Sequence, residues 1–90
     1  MIVLVGRYRV RDLDRFLTVF EGFEAGRRAG GSTGHRLLGS LAEPTSVVAL
    51  IDFASRQEAE GFAASAERLA ALEEAGVVAR EDELLEDIGR

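Results

Sequence analysis

The stretch Val47-Val48-Ala49-Leu50-Ile51-Asp52-Phe53 decides how this chain folds. Its β-branched and aromatic content reads as a strand, and side chains on a strand alternate between two faces. Val47, Ala49, Ile51 and Phe53 fall on one face, Val48 and Leu50 on the other. A strand with one face in water alternates apolar with polar, and this one stays apolar on both faces until Asp52. The sheet it belongs to is therefore expected to be covered on both sides.

Working outward, Ile2–Val10 (IVLVGRYRV) has the same character. Ile2, Leu4, Tyr8 and Val10 lie on one face of a predicted strand, and Val3, Val5, Arg7 and Arg9 on the other. His35–Leu41 reads as a weaker strand carrying Gly39. Glu43-Pro44-Thr45 is turn chemistry that makes it a hairpin with Val47–Phe53. Two helices complete the pattern. Asp12 is a predicted N-cap with Asp14 favouring the helix dipole, and Leu13, Phe16, Leu17, Phe20 and Phe23 give an apolar stripe from about residue 12 to 28. Ser55-Arg56-Gln57-Glu58 has capping-box form, followed by Ala59, Phe62, Ala63, Ala66, Leu69 and Ala70, with Ser65 placed to cap a second segment after a bend. Gly76 is a natural stop. Val77-Val78 and then Glu83 to Ile88 form an acidic last strand.

The order strand, helix, strand, strand, helix, strand is the split β-α-β pattern of a ferredoxin-like α+β fold. It predicts one domain over residues 1–90, with a four-stranded antiparallel sheet and both helices on one face, since such crossovers are right-handed. The two helices cover one face, and no residues remain for the other. The simplest cover is a second copy packed sheet against sheet, a homodimer in which two chains share one α/β barrel.

Composition narrows the chemistry. All eleven basic residues are Arg, which with no Cys, no Trp and one His removes disulfides, thiolate sites, a Schiff-base lysine and a multi-histidine metal centre within one chain. No metal and no cofactor are expected. A net charge of −5 argues against nucleic-acid binding. The apolar run Ile2–Val5 stops at Gly6-Arg7, too short for a signal-peptide core or a membrane span, so a cytoplasmic location is expected. Charge is uneven: residues 1–40 hold seven Arg against four acids, and residues 41–90 four Arg against twelve acids. Solvated faces explain this, and so does charge matching across a two-fold axis.

Several strings resemble the dimeric α/β-barrel superfamily, closest to its small stand-alone members related to antibiotic-biosynthesis monooxygenases and cyclases. Arg7-Tyr8-Arg9-Val10-Arg11-Asp12-Leu13-Asp14-Arg15-Phe16 is similar to the group's V-x-D-x-D-x-aromatic entry from strand to helix. Glu43-Pro44 before VVALIDF, Phe53-Ala54-Ser55 leading into Glu58-Ala59 and Phe62, and Ser65–Leu69 followed by Ala75–Val78 are similar to its hairpin, late helix and last strand. The resemblance implies a small aromatic or polyketide-like ligand, held between helices and sheet or within the barrel, and cofactor-free cyclase, isomerase or monooxygenase activity. The haem-degrading branch requires an Asn, a Trp and a helix His, which this chain lacks. The same fold also serves as a non-catalytic binding or assembly module.

Few side chains can carry chemistry. His35, the only group titrating near neutrality, follows the Gly30–Gly34 loop, which reads as a lid, and is the candidate general acid or base. Tyr8 is the second catalytic candidate, either as core with its hydroxyl at a rim or as a proton donor in the same pocket as His35. Asp52 shares a face with Arg7 and Arg9 of the neighbouring strand. An Arg–Asp pair there is expected, either structural or orienting an anionic or phenolic ligand. The acidic cluster Glu81, Asp82, Glu83, Glu86 and Asp87 reads as a solvated edge, since its spacing fits no calcium loop.

Overall fold

The computed structural model describes residues 1–89. Nine residues with Leu4, Tyr8 and Val10 alternating inward form β1 (Ile2–Val10), and Asp12 then breaks the strand. Asp12 is extended and its carboxylate accepts the Asp14 amide at 2.9 Å, which starts α1 (Leu13–Gly22). The predicted single helix is two. It breaks at Phe23, directly after Gly22, where glycine lowers helix propensity, and resumes as α2 (Glu24–Ala29). Gly31 takes a positive φ of 102° and turns the chain into β2 (Ser32–Gly39).

The lid expected at Gly30–Gly34 is overturned. β2 starts three residues before His35, because Ser32 and Gly34 pair with Phe53 and Asp52 of β3 (Ser46–Phe53). β2 also ends at Gly39, short of Leu41.

After β3, Ser55 caps α3 (Arg56–Ala63). Its hydroxyl accepts the Glu58 amide and donates to the Glu58 carboxylate, so the capping box closes through the serine side chain. Ser65 is extended and accepts the Arg68 amide at 3.2 Å, opening α4 (Ala66–Glu74) after the expected bend. Gly76, at φ +80°, ends it. The last strand is one run, β4 (Val77–Glu86), with no gap between Val78 and Glu83. Pairing with the whole length of β1 draws Ala79–Asp82 into it, with one irregularity at Arg9/Val10.

The sheet order is β2-β3-β1-β4, all antiparallel, which is the ferredoxin-like α+β fold. Phe16, Phe53, Ala49 and Ala59 are fully buried between sheet and helices, with Leu4, Ile51 and Val47 beside them. The opposite face carries Val3, Val5, Val48 and Leu50 at its centre and half-exposed Leu38 and Leu85 on its outer strands. Among the described residues no helix is long and apolar enough to cross a membrane.

Candidate ligand-binding site

The helix-facing row of β1 runs Leu4, Gly6, Tyr8. A Cβ on Gly6 would fall inside the Tyr8 phenol, so glycine is what lets that ring lie back along its own strand. The ring packs on Phe16 at 5.8 Å, Tyr8 is 4 % exposed, and its hydroxyl meets Arg68 of α4. Arg68 is also buried and both of its terminal nitrogens are engaged. It makes a two-pronged pair with Asp82 of β4 at 2.8 and 3.0 Å, donates to the Ala63 carbonyl at 3.0 Å, and donates to the Tyr8 oxygen at 2.9 Å. Arg80 also pairs with Asp82.

The charges in this cluster are mutually supported. Burial raises the carboxyl pKa of Asp82, but hydrogen bonds and charge from Arg68, with help from Arg80, outweigh it and hold Asp82 below its ordinary value. Burial likewise works against the Arg68 charge, and Asp82 outweighs it. For Tyr8, burial dominates and pushes the phenol above its usual 10, with Arg68 offsetting only part. Tyr8 is therefore a neutral phenol at pH 7 whose oxygen accepts from Arg68. Among the described residues its own proton has no acceptor.

Tyr8 and Arg68 stand at one end of an apolar slot between sheet and helices. Phe16, Phe20, Ile51 and Leu72 also line it, and because Tyr8 packs on Phe16, Phe16 on Phe20 and Arg27 of α2 on Phe20, Arg27 stands at the far end of that row. The slot holds about 30 Å³, so its side chains nearly fill it. Phe23 and Phe62 line the slot and also an open groove beside α2 and α3, so these two rings stand between the slot and that groove.

The expected site residues are divided among three places. Tyr8 lines the slot. His35 does not: it is exposed on β2, its ring edge-on to Phe20 at 5.2 Å, and it lines a separate crevice with Arg27, Arg28, Ser32 and Thr33. The shared pocket for Tyr8 and His35 is thus overturned, because β3 separates their strands and their pairing positions, Val47 and Ile51, are four residues apart. Arg7 and Arg9 lie on the open face of the sheet, where they line a groove of about 560 Å³ with Leu38, Val48 and Glu81. The expected pair with Asp52 does not form. Register sets Asp52 opposite Val3, with Arg7 four residues along β1, and Arg7 pairs instead with Glu83 at 3.2 Å.

Sequence reasoning missed Arg68, Asp82 and Arg27. The signal was present in the stripes. Arg27 continues Phe16, Phe20 and Phe23 at helical spacing, and Arg68 precedes Ala71, Leu72 and Ala75 on the same face. Asp82 shares the helix-facing row of β4 with Leu84. Among the described residues no group of three His, Asp or Glu side chains is placed to hold a metal ion.

No family model matches the chain, and no curated protein matches it by sequence. Solved structures do. SnoaB, a cofactor-independent oxygenase from Streptomyces nogalater, superposes with a TM-score of 0.81 at 18% identity, over 99% of this chain and 94% of that one. A structure described as an antibiotic biosynthesis monooxygenase gives 0.75 at 12% identity, over 99% of this chain and 100% of that one. Rv0793 from Mycobacterium tuberculosis gives 0.74 at 14% identity, over 99% and 96%. At these identities the likeness is one of fold. The chain has the ferredoxin-like fold of the antibiotic-biosynthesis-monooxygenase-like proteins, as the strand-to-helix turn at Val10–Phe16 implied.

Proposed function

We propose that this chain is a cytoplasmic homodimer that takes a small aromatic, polyketide-like molecule into the slot and promotes its cofactor-free cyclisation, isomerisation or oxygenation. The observation that carries the reading is the buried Tyr8 phenol, which accepts from Arg68 and keeps its own proton free at the end of an apolar slot. Each of the three reactions can begin by building negative charge on a carbonyl or phenol oxygen of the ligand. A neutral phenol backed by a fixed guanidinium is suited to stabilise that charge, and dry surroundings strengthen the effect. Tyr8 serves as donor and not as base, because burial keeps it protonated. His35 lies across Phe20 from the slot, so the reading rests on Tyr8 and Arg68. SnoaB, of the same fold, is described as working without a cofactor, which agrees with a site built from side chains alone.

Dimerisation belongs to this reading. Val3, Val5, Val48 and Leu50 form an apolar centre on the uncovered sheet face, ringed by Arg7, Arg9, Glu81 and Glu83, and an isologous partner offers the same patch in reverse. Light scattering at micromolar concentration is expected to give about 19 kDa, twice the 9.7 kDa chain, and Leu50→Glu to give the monomer. A stable wild-type monomer near 10 kDa overturns the dimer.

The slot is tested with 2-naphthol, whose emission is read without protein background because the chain has no Trp. Tyr8→Phe is expected to weaken binding by roughly 3- to 10-fold, the worth of one neutral hydrogen bond. Equal affinity for both proteins removes Tyr8 from the site. The small space open to water favours a second reading, a non-catalytic binding or assembly module. An intact dimer that binds no naphthol selects it.

A further inference from the structure

We infer that Arg27 is the counter-charge for a carboxylate on the ligand, so that the slot takes an aromatic acid with its oxygen function at Tyr8 and its carboxylate at Arg27. The inference rests on the slot reading above and names the class of molecule the slot accepts.

Arg27 is 2 % exposed, on a stripe that otherwise carries phenylalanines. Its guanidinium lies over the Phe20 ring at 3.8 Å, and Nη1 donates to the Phe20 carbonyl. Those contacts hold the group in place without neutralising it. Among the described residues no carboxylate lies within ion-pair distance of Arg27. Glu24, the nearest acidic influence, is exposed and pairs with Arg28 at 3.5 Å. Arg27 Nε is buried with no hydrogen-bond partner at all. A buried guanidinium that lacks both a counter-ion and part of its hydrogen bonding is strongly unfavourable in a folded protein. Burial accordingly pulls its pKa down, and Glu24 restores only part.

Arg68 shows what a satisfied arginine looks like in this fold. Its two terminal nitrogens make four hydrogen bonds, two of them to one carboxylate. Those nitrogens have no vacancy for a second anion. Arg27 has the matching vacancy: with Nη1 taken, the edge formed by Nε and Nη2 remains, and that edge can donate to the two oxygens of a planar carboxylate side by side. Phosphate meets a guanidinium edge in the same way, but the phenylalanines around Arg27 offer no donors to its remaining oxygens. Tyr8 packs on Phe16, Phe16 on Phe20 at 5.7 Å, and Arg27 covers Phe20, so the row sets one polar group at each end with two aromatic rings between.

The test compares 6-hydroxy-2-naphthoate, which has a hydroxyl at one end and a carboxylate at the other, with 2-naphthol, which lacks the carboxylate. Fluorescence titrations use wild type, Arg27→Met and Arg27→Lys. Wild type is expected to bind the hydroxynaphthoate at least about 10-fold tighter than naphthol. Arg27→Met is expected to weaken the hydroxynaphthoate by about 10- to 100-fold and leave naphthol within about twofold, and Arg27→Lys to fall between. Inorganic phosphate at millimolar concentration is expected not to displace it. Urea titration of Arg27→Met is expected to give a midpoint at or above wild type. Equal losses of both ligands, loss of neither, displacement by phosphate, or an unfolded Arg27→Met each overturn the inference. Binding of naphthol with no preference for the acid overturns it while sparing the slot. Binding of neither ligand fells the slot reading and this inference with it.

Discussion

Two arginines, Arg27 and Arg68, are each 2 % exposed, and the fold treats them in opposite ways. Arg68 sits where α4 passes β4, and the strand supplies Asp82, the α3 terminus a carbonyl, and β1 a phenol. Arg27 sits where α2 passes the edge of the sheet at β2, and its surroundings supply an aromatic face and one carbonyl. The difference is one of topology. β4 is acidic and lies beside central β1, so a carboxylate on its inner row reaches the core. Inward-facing β2 offers His35 and Leu37, neither of them an anion. The ion pair at one end of the slot is closed and fixes the guanidinium that backs Tyr8, whereas the guanidinium at the other end has no counter-charge among the described residues.

The largest test of that contrast is Asp82→Ala. It strands Arg68 without a counter-ion, and urea denaturation is expected to show a loss of about 2–4 kcal/mol, below the fully buried range because Asp82 keeps some exposure. In a 90-residue domain of ordinary stability that is a large fraction of the total. A loss under about 0.5 kcal/mol would make the pair ornamental.

Gly6→Ala comes next. The new methyl must displace the Tyr8 ring, which packs on Phe16, so a cost of about 1–3 kcal/mol in thermal or urea unfolding is expected. Wild-type stability with unchanged tyrosine absorbance would show that the ring has other room.

Acid sharpens the same comparison more gently, because a protonated carboxyl still fills its place. Asp82 has a folded pKa below its ordinary 3.8. Its contribution is present above that value and is lost as pH falls from there through the folded pKa, where the unfolded chain binds the proton first. The wild-type urea midpoint is expected to fall on acidification below about pH 4 more steeply than that of Asp82→Asn. Parallel curves would remove Asp82 from acid sensitivity.

The smallest effect is expected at Arg27. Arg27→Met keeps the stem and removes an unpaired charge, so stability is expected to lie between no change and a gain of about 1 kcal/mol. A loss as large as that of Asp82→Ala would erase the distinction between the two ends.

Local patterns carried far in this chain. The strand Ile2–Val10, the caps at Asp12, Ser55 and Ser65 and the stop at Gly76 were legible because each depends on neighbours in sequence. The breaks were harder. Gly22 lowers helix propensity without saying that the helix stops there, and the start of β2 at Ser32 is decided by pairing with Phe53, twenty-one residues away. The candidate site was the least legible. Tyr8 was recognised as inward-facing. Its partner Asp82 read as part of a solvated acidic edge and Arg68 was not singled out, although both sit on rows that elsewhere carry apolar side chains.

By itself the sequence determined the order of elements, the apolar rows of β1 and β3 and the fold class, because alternation and helical spacing are written in adjacent residues. Only the tertiary structure decided which charge met which. Arg7 went to Glu83 and not to Asp52, Arg68 to Asp82, and Arg27 to no carboxylate among the described residues. Charge pairing depends on strand register and sheet order, and both arise from contacts between segments far apart in the chain.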